Sequence, residues 1–262
     1  MDLALAQPVI QHGDAPSPRD AMARAFARHG VTRCAILAST FRSGSTWIGR
    51  IMDRHGLAGM KHERLRSIAA GDDLDRFFDA ALAEQSSPVF ATRLMWVQRN
   101  RLAHLLGFPR ADSTLFAAQF PDAAWLFLRR RDVYAQGISY WRAKATNRWH
   151  VPPVPGETEP TVPYDFAEID ACVRELVLHD RLWDDFFALA GIAPTTVWYE
   201  DLLTDCTPIE RTMARFGLLL PETFSNLKIQ SDARSERYRD RYLDDLFRRS
   251  KGLDHAVKAA AP

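Results

Sequence analysis

The sequence predicts a three-layer α/β fold in which helices cover both faces of a central parallel sheet. Short apolar runs recur along the chain, and segments with apolar residues at helical spacing lie between them. The strand candidates lie near residues 34–39, 88–92, 124–129 and 195–199. This alternation is typical of parallel sheets whose strands are connected by helices.

The helical patterns fill the intervals between the strand candidates. They lie near residues 45–56, 72–85, 97–107 and 132–147. A longer pattern covers residues 166–190, and its apolar residues at helical spacing are Ile169, Val173, Leu176, Val177, Trp183 and Phe187. We interpret this stripe as the core-facing side of a helix.

Length and composition favour one domain with a local anion site. The chain has 262 residues, of which 47% are hydrophobic, and this is enough for a sizeable core. Its 34 basic and 33 acidic side chains give a net charge of +1, so bulk attraction to nucleic acid is not expected. We predict a flexible N-terminal arm at residues 1–30 and a single domain at residues 31–262.

The cysteines and the N-terminus indicate a cytoplasmic protein. Cys34, Cys172 and Cys206 are far apart and show neither metal-ligand spacing nor a disulfide pattern, so we expect reduced thiols and no metal. The first twenty residues lack a basic start and a long apolar run. The sequence therefore predicts neither a secretion signal nor a transmembrane segment.

The first strand candidate ends in a short polar turn with the sequence Arg-Ser-Gly-Ser-Thr at residues 42–46. A strand that enters a helix through such a turn directs several backbone N–H groups at one point, where the helix dipole adds positive potential. The hydroxyls of Ser43, Ser45 and Thr46 can add hydrogen bonds. The turn is therefore a candidate site for phosphate or a similar oxyanion.

This turn is similar to a nucleotide P-loop but departs from it. A Walker loop has Gly, four residues and then Gly-Lys-Ser/Thr, whereas here Gly44 stands alone and the cation Arg42 precedes it. The pattern resembles the 5′-phosphosulfate loop of sulfotransferases, which implies a P-loop-like fold. The plain alternative is an ordinary strand–turn–helix junction with a serine cap.

A second basic turn follows the third strand candidate. Arg129, Arg130 and Arg131 end the apolar run and precede a helical pattern, so a dianion would gain charge-assisted hydrogen bonds there. This turn and Ser139 resemble the 3′-phosphate element of sulfotransferases, which implies Arg130 and Ser139 as its ligands. Arg129 and Arg131 are rivals for this role, because the sequence does not fix the alignment of the three arginines to within one residue. The plain alternative is a solvated basic turn that binds no ligand.

Three further segments narrow the resemblance to the bacterial trehalose sulfotransferase family. They are Thr92-Arg93-Leu94-Met95-Trp96, the run from Gln136 to His150, and Leu227-Lys228-Ile229-Gln230-Ser231-Asp232-Ala233. The resemblance runs from about residue 34 to about residue 245. It implies 3′-phosphoadenosine 5′-phosphosulfate (PAPS) as donor, a carbohydrate or glycolipid acceptor, no metal, and a homodimer.

The resemblance also implies a general base, because a sugar hydroxyl is a poor nucleophile at neutral pH. In the family a Glu shortly after the first helix is the proposed base, and Glu63 lies in that stretch here. The flanking residues depart from the family, so His62 is a rival and His150 a further candidate. The plain alternative for Glu63 is a surface carboxylate paired with Lys61 or Arg64.

Two other residues have roles that the resemblance implies. Arg42 would stabilise the leaving 5′-phosphate together with the N–H groups of the loop. Arg93 stands where the family usually has Lys, and it would either contact the sulfonate or serve as a capping cation.

Two further features stay open. Residues 151–165 are rich in proline and exclude regular structure, so they form either a lid over the acceptor or a spacer.

The function could also be that of a P-loop-like kinase or NTPase, although no Lys follows Gly44 and no convincing Mg²⁺-binding Asp follows a second strand. A non-catalytic nucleotide-binding module is the third class.

Overall fold

The structure is a computed structural model that describes residues 17–109, 112–149, 160–220 and 233–259. Four parallel strands form its sheet in the order β2-β1-β3-β4. They are β1 (Arg33–Ser39), β2 (Val89–Met95), β3 (Ala123–Arg129) and β4 (Thr195–Trp198). The predicted α/β fold with a central parallel sheet is confirmed.

Helices fill the connections between the strands and flank them. They are α1 (Ala21–Arg28), α2 (Ser45–Arg54), α3 (Leu74–Leu82), α4 (Trp96–Leu105), α5 (Ser113–Ala117), α6 (Val133–Thr146), α7 (Phe166–Leu189), α8 (Thr207–Arg215) and α9 (Ala233–Ala259). Short 3₁₀ turns lie at Pro18–Asp20 and Asp201–Leu203. The strands and the helices α2, α3, α4, α6 and α7 lie where the sequence predicts them, within a few residues at each end.

The strands are buried on both faces, which explains why they are continuous apolar runs in the sequence. In β1, Ile36 and Ala38 pack into the core on one face, beneath α1, α3, α4 and α7. Ala35 and Leu37 face the opposite core, beneath α2 and α8. A third apolar cluster joins α6, α7 and α9.

The connections place a topological switch point between β1 and β3. From β1 the chain moves to β2 on one side, and it then crosses to β3 on the other side. In open parallel sheets, the crevice outside the carboxyl ends of the strands at such a point is the usual place for a ligand. The turns after β1 and after β3 are therefore neighbours at the edge where a site is expected.

The N-terminal arm is shorter than the sequence analysis predicts. Helix α1 buries Met22, Ala25 and Phe26, and Arg24 of the same helix forms an ion pair with Asp75 of α3. The prediction of a flexible arm through residue 30 is therefore wrong for residues 21–28. The apolar face of α1 is narrow and is formed largely by alanines, which contribute little to a hydrophobic pattern in the sequence. The sequence therefore gives only a weak signal for this helix. Residues 1–16 lie outside the described part of the chain.

The cysteines form no disulfide in the described chain. Cys34 and Cys172 are buried and Cys206 is partly buried. Burial raises the pKa of all three thiols, which keeps them protonated at neutral pH. No described helix is long and apolar enough to cross a membrane. Among the same residues, no group of three or more His, Cys, Asp or Glu side chains is arranged to hold a metal ion.

Candidate functional site

The turn between β1 and α2 has an unusual backbone conformation. Arg42 has a φ of 60° and Gly44 a φ of 92°, and Gly44 is the N-cap of α2. A Cβ atom on Gly44 would lie 2.5 Å from the Tyr199 ring, so a side chain is excluded by space as well as by φ. The conformation directs the N-terminus of α2 at the carboxyl edge of the sheet, as an anion site requires.

Ser43 supports the same interpretation. Its side chain is completely buried, and its hydroxyl has no hydrogen-bond partner among the described residues. An unpaired buried hydroxyl is rare in folded proteins and requires an explanation. A ligand oxygen at the loop would provide the missing partner, so this residue fits an oxyanion site.

Arg42 joins the two predicted anion segments. Its Nε atom donates a hydrogen bond to Ser139 Oγ of α6 at 2.9 Å. Its Nη1 atom donates to the Trp149 carbonyl at 2.6 Å. Arg130 in turn donates from Nη1 to the Arg42 carbonyl at 3.4 Å. The structure therefore brings Arg42, Arg130 and Ser139 together, although they lie far apart in the sequence.

Arg129 is already paired with carboxylates. It donates hydrogen bonds to Asp180 and, at 3.1 Å, to Asp184, both on α7. Its guanidinium also lies over the rings of Phe127 and Trp198. A cation held by two acids has little positive potential left for a further anion.

Arg131 is half-exposed and pairs with Asp201 at 2.7 Å. Arg130 differs from both rivals. It lies over the Tyr199 ring, and the carboxylate beside it, that of Glu200, is 3.8 Å from its Nε atom, which is beyond hydrogen-bond distance. Its Nη1 atom donates to the Arg42 carbonyl, so the guanidinium lies beside the loop. This position favours Arg130 as the arginine that binds an incoming anion.

Gln136 of α6 is hydrogen-bonded to the two residues that precede the loop. Its Nε2 atom donates to Thr40 Oγ1 at 2.9 Å and to the Phe41 carbonyl at 2.6 Å. Thr40 and Gln136 line a cleft of about 230 Å³ together with Arg129, Arg130 and Asp180. Burial raises the pKa of Asp180 in this cleft, against the opposing effect of Arg129.

Glu63 has specific partners at the same edge of the sheet. Its Oε1 atom lies 3.3 Å from Nη2 of Arg93 on β2, and its Oε2 atom accepts a hydrogen bond from Gln98 Nε2 at 2.5 Å. The alternative pairing with Lys61 or Arg64 is not observed, since Lys61 pairs with Asp53 and Arg64 donates to Gln85. Glu63 is therefore a positioned carboxylate.

His62 and His150 differ from Glu63 in their surroundings. The side chain of His62 is exposed, and its carbonyl accepts a hydrogen bond from the Arg93 N–H at 3.1 Å. His150 lies outside the described residues, as do residues 151–159 of the proline-rich segment. Among the residues that the structure describes, no side chain holds the His62 imidazole in the way that Arg93 and Gln98 hold Glu63.

Sequence reasoning missed two residues that shape this site, Tyr199 and Gln98, and it missed the contacts of Arg93. Tyr199 supports both Gly44 and Arg130, and Gln98 holds Glu63. Arg93 contacts the loop hydroxyls as well as Glu63, a connection that no sequence spacing reveals. The available signal for Tyr199 was an aromatic residue directly after a strand, whereas Gln98 lies within α4 and has no such signal.

Comparison with known proteins is consistent with this geometry. The trehalose 2-sulfotransferase of Mycobacterium tuberculosis is 29% identical over 256 residues, which cover 81% of this chain and 95% of the relative. The trehalose 2-sulfotransferase of Mycolicibacterium smegmatis is 27% identical over 170 residues, covering 61% of this chain and 62% of the relative.

The family model described as Stf0 sulphotransferase matches residues 76–245, well over half of the chain. The match includes the basic turn after β3 and begins beyond the loop at residues 42–46, whose assignment depends on its geometry. On this evidence, the chain belongs to the Stf0 sulphotransferase family.

Proposed function

We propose that this protein transfers a sulfuryl group from PAPS to a hydroxyl of a carbohydrate or glycolipid acceptor. The observation that carries the proposal is the meeting of two anion segments at the switch point, where Arg42 contacts Ser139 and Arg130 contacts the Arg42 carbonyl. The names of the two trehalose 2-sulfotransferase relatives support a sugar as the acceptor class.

When bound, PAPS supplies an activated sulfuryl group and a phosphate leaving group. Arg42 and the N-terminus of α2 would stabilise the negative charge that grows on the leaving 5′-phosphate. Ser43, Ser45 and Thr46 would orient its oxygens. The Ser43 hydroxyl supports this assignment, because it has no hydrogen-bond partner among the described residues and a phosphate oxygen would provide one.

Arg130 and Ser139 would bind the 3′-phosphate. Arg130 has a buried Nε atom without a hydrogen bond among the described residues, and Ser139 is within reach of Arg42 in the same crevice. A doubly charged phosphate gains more from such a guanidinium than a neutral hydroxyl does. This pair would therefore distinguish PAPS from nucleotides without a 3′-phosphate.

Glu63 would accept the proton of the acceptor hydroxyl as that oxygen attacks sulfur. One carboxylate oxygen faces Arg93 and the other Gln98, so its direction is fixed before an acceptor arrives. Proton removal makes the hydroxyl a better nucleophile. Arg42 would stabilise the phosphate oxygen that leaves on the opposite side of sulfur. Positioning and electrostatics together supply the catalysis.

The test is a transfer assay with the full chain, PAPS and a panel of acceptors that includes trehalose, read by the mass gain of one sulfuryl group. The proposal predicts a PAPS-dependent product with at least one sugar or glycolipid. Tight nucleotide binding without any product would instead support a non-catalytic module, and Mg²⁺-dependent turnover of ATP would support a kinase or NTPase.

A further inference from the structure

Arg93 lies between the phosphate loop and the candidate base. It is 4% exposed, and its Nη1 atom donates to Thr46 Oγ1 at 2.7 Å, with Ser45 Oγ at 3.5 Å. Because Arg93 occupies an acceptor position of the Thr46 hydroxyl, the hydroxyl proton is directed elsewhere. That proton is then available for an oxygen bound at the loop.

The other side of the same guanidinium faces the segment that carries Glu63. Its Nη2 atom donates to the Lys61 carbonyl at 3.0 Å and lies 3.3 Å from Glu63 Oε1. One planar group therefore contacts the loop and the candidate base at once. Arginine suits this task because its donors form a rigid fork.

Gln98 completes the arrangement around the carboxylate. It is 6% exposed, its Oε1 atom accepts from the Met95 N–H at 3.0 Å, and its Nε2 atom donates to Glu63 Oε2. The backbone contact fixes which end of the amide faces Glu63. Both carboxylate oxygens of Glu63 thus have a partner that is itself anchored.

Gly49 of α2 makes this close packing feasible. A Cβ atom at this position would lie 2.5 Å from the Met60 carbonyl and 2.9 Å from Arg93 Cδ. Glycine within a helix costs about 1 kcal/mol relative to alanine, so its presence suggests a packing requirement. Here it lets α2 approach both Arg93 and the segment leading to Glu63.

Stability alone explains this arrangement poorly. Burial lowers the pKa of Arg93, with Glu63 acting in the opposite direction, so desolvation opposes the charge. Buried ion pairs are often no more stabilising than apolar residues of the same volume. A buried cation that spans two parts of one site is better explained by what it orients.

We propose that Arg93 and Gln98 are positioning residues that hold the Glu63 carboxylate toward the acceptor, and that Arg93 connects its orientation to the phosphate loop. This inference rests on the proposed function. Neither residue takes the proton: both act through Glu63, so their effect should vanish when Glu63 can no longer act as a base.

The test compares Gln98→Glu with the matched control Gln85→Glu. Gln98→Glu keeps the acceptor for the Met95 N–H but replaces the donor to Glu63 by a repelling oxygen. Gln85 is partly buried, and its side-chain amide likewise donates hydrogen bonds, but to the Ser87 and Val89 carbonyls at the opposite end of β2. We expect kcat to fall roughly 10–100-fold in Gln98→Glu and to stay within about twofold of wild type in Gln85→Glu.

A second comparison separates positioning from structural damage. In a Glu63→Gln background, adding Gln98→Glu should change kcat by less than about threefold, because the two residues act as a unit.

Binding of the product nucleotide 3′-phosphoadenosine 5′-phosphate (PAP), measured by calorimetry, should be unchanged in Gln98→Glu. It should weaken about tenfold in Arg93→Met, which loses the Thr46 contact, and recover in part in Arg93→Lys.

The outcomes distinguish the two proposals. A wild-type chain without sulfuryl transfer would overturn both the function and this inference. An active wild type with normal kcat in Gln98→Glu and Arg93→Met would overturn the inference alone. A full additional loss of kcat in the Glu63→Gln background would also overturn it, since the residues would then not act through Glu63.

Discussion

Arg42 is the residue on which the two halves of the site converge. Its backbone adopts a φ of 60°, a conformation that costs a non-glycine residue free energy. Its side chain is held by Ser139 and by the Trp149 carbonyl, so the guanidinium lies within the crevice. Strain of this kind is often found where a side chain must be directed at a ligand.

The proposed role of Arg42 predicts a specific kinetic effect. Arg42→Ala should lower kcat by roughly 100-fold or more and weaken PAPS binding less, because charge on the leaving phosphate is largest in the transition state. Arg131→Ala is the control, since Arg131 pairs with Asp201 at the surface. Steady-state kinetics measure both quantities. An unchanged kcat with a raised KM would show that Arg42 serves binding only.

Glu63 is the second residue with a distinct expectation. Glu63→Gln preserves shape and should keep the fold and PAP binding, but kcat should fall by roughly 10²–10⁴-fold. His62→Ala should retain most of the activity, because the His62 side chain is exposed and lacks the partners that hold Glu63. Turnover measured beside calorimetric PAP binding separates lost chemistry from a damaged site.

The opposite pattern would change the assignment. A nearly normal Glu63→Gln together with an inactive His62→Ala would transfer the role to His62. Activity in both variants would place the base elsewhere, with His150 as the next candidate.

At the scale of elements, α1 differs most from what the sequence predicts. Phe26 packs against Phe90 of β2 with ring centroids 5.1 Å apart, and it is 4% exposed. Helix α1 is therefore part of the core that supports β2, the strand that carries Arg93. A domain that began at residue 31 would lack the part of this core that α1 supplies, including Met22, Ala25 and Phe26.

This packing gives a stability prediction. Phe26→Ala should lower the free energy of unfolding by about 3–5 kcal/mol, the usual cost of removing a buried aromatic ring. Phe247→Ala is the matched control, because Phe247 of α9 is 60% exposed. Chemical denaturation measures both. Equal, small effects would mean that α1 does not belong to the folded core.

The sequence predicts elements better than contacts. Strand positions follow from apolar runs that burial on both faces requires, and the positions of the two candidate anion turns follow from their strand–turn–helix patterns. The Glu63–Arg93 pair could not be predicted, since it depends on how the segment after α2 lies along β2. Similarly, three adjacent arginines are equivalent in the sequence, and only the positions of Asp180, Asp184 and Asp201 distinguish them.

At the scale of the whole molecule, the sheet order creates the site. Ser139 and Arg42 are 97 residues apart in the sequence, and Arg130 is 88 residues from Arg42, yet all three meet beside the switch point. The parallel strands end at one edge, so the turns after β1 and β3 are brought together by the fold itself. We therefore propose that these two turns bind one nucleotide through two phosphates.

Calorimetric titration of PAP and AMP into the wild-type chain and Arg130→Ala tests this claim most directly. Each charge-assisted contact to the 3′-phosphate is worth about 1.5–3 kcal/mol, so wild type should bind PAP at least about tenfold more tightly than AMP. Arg130→Ala should lose most of this preference, while Arg131→Ala should keep it. Equal affinity of the wild type for PAP and AMP would contradict the account.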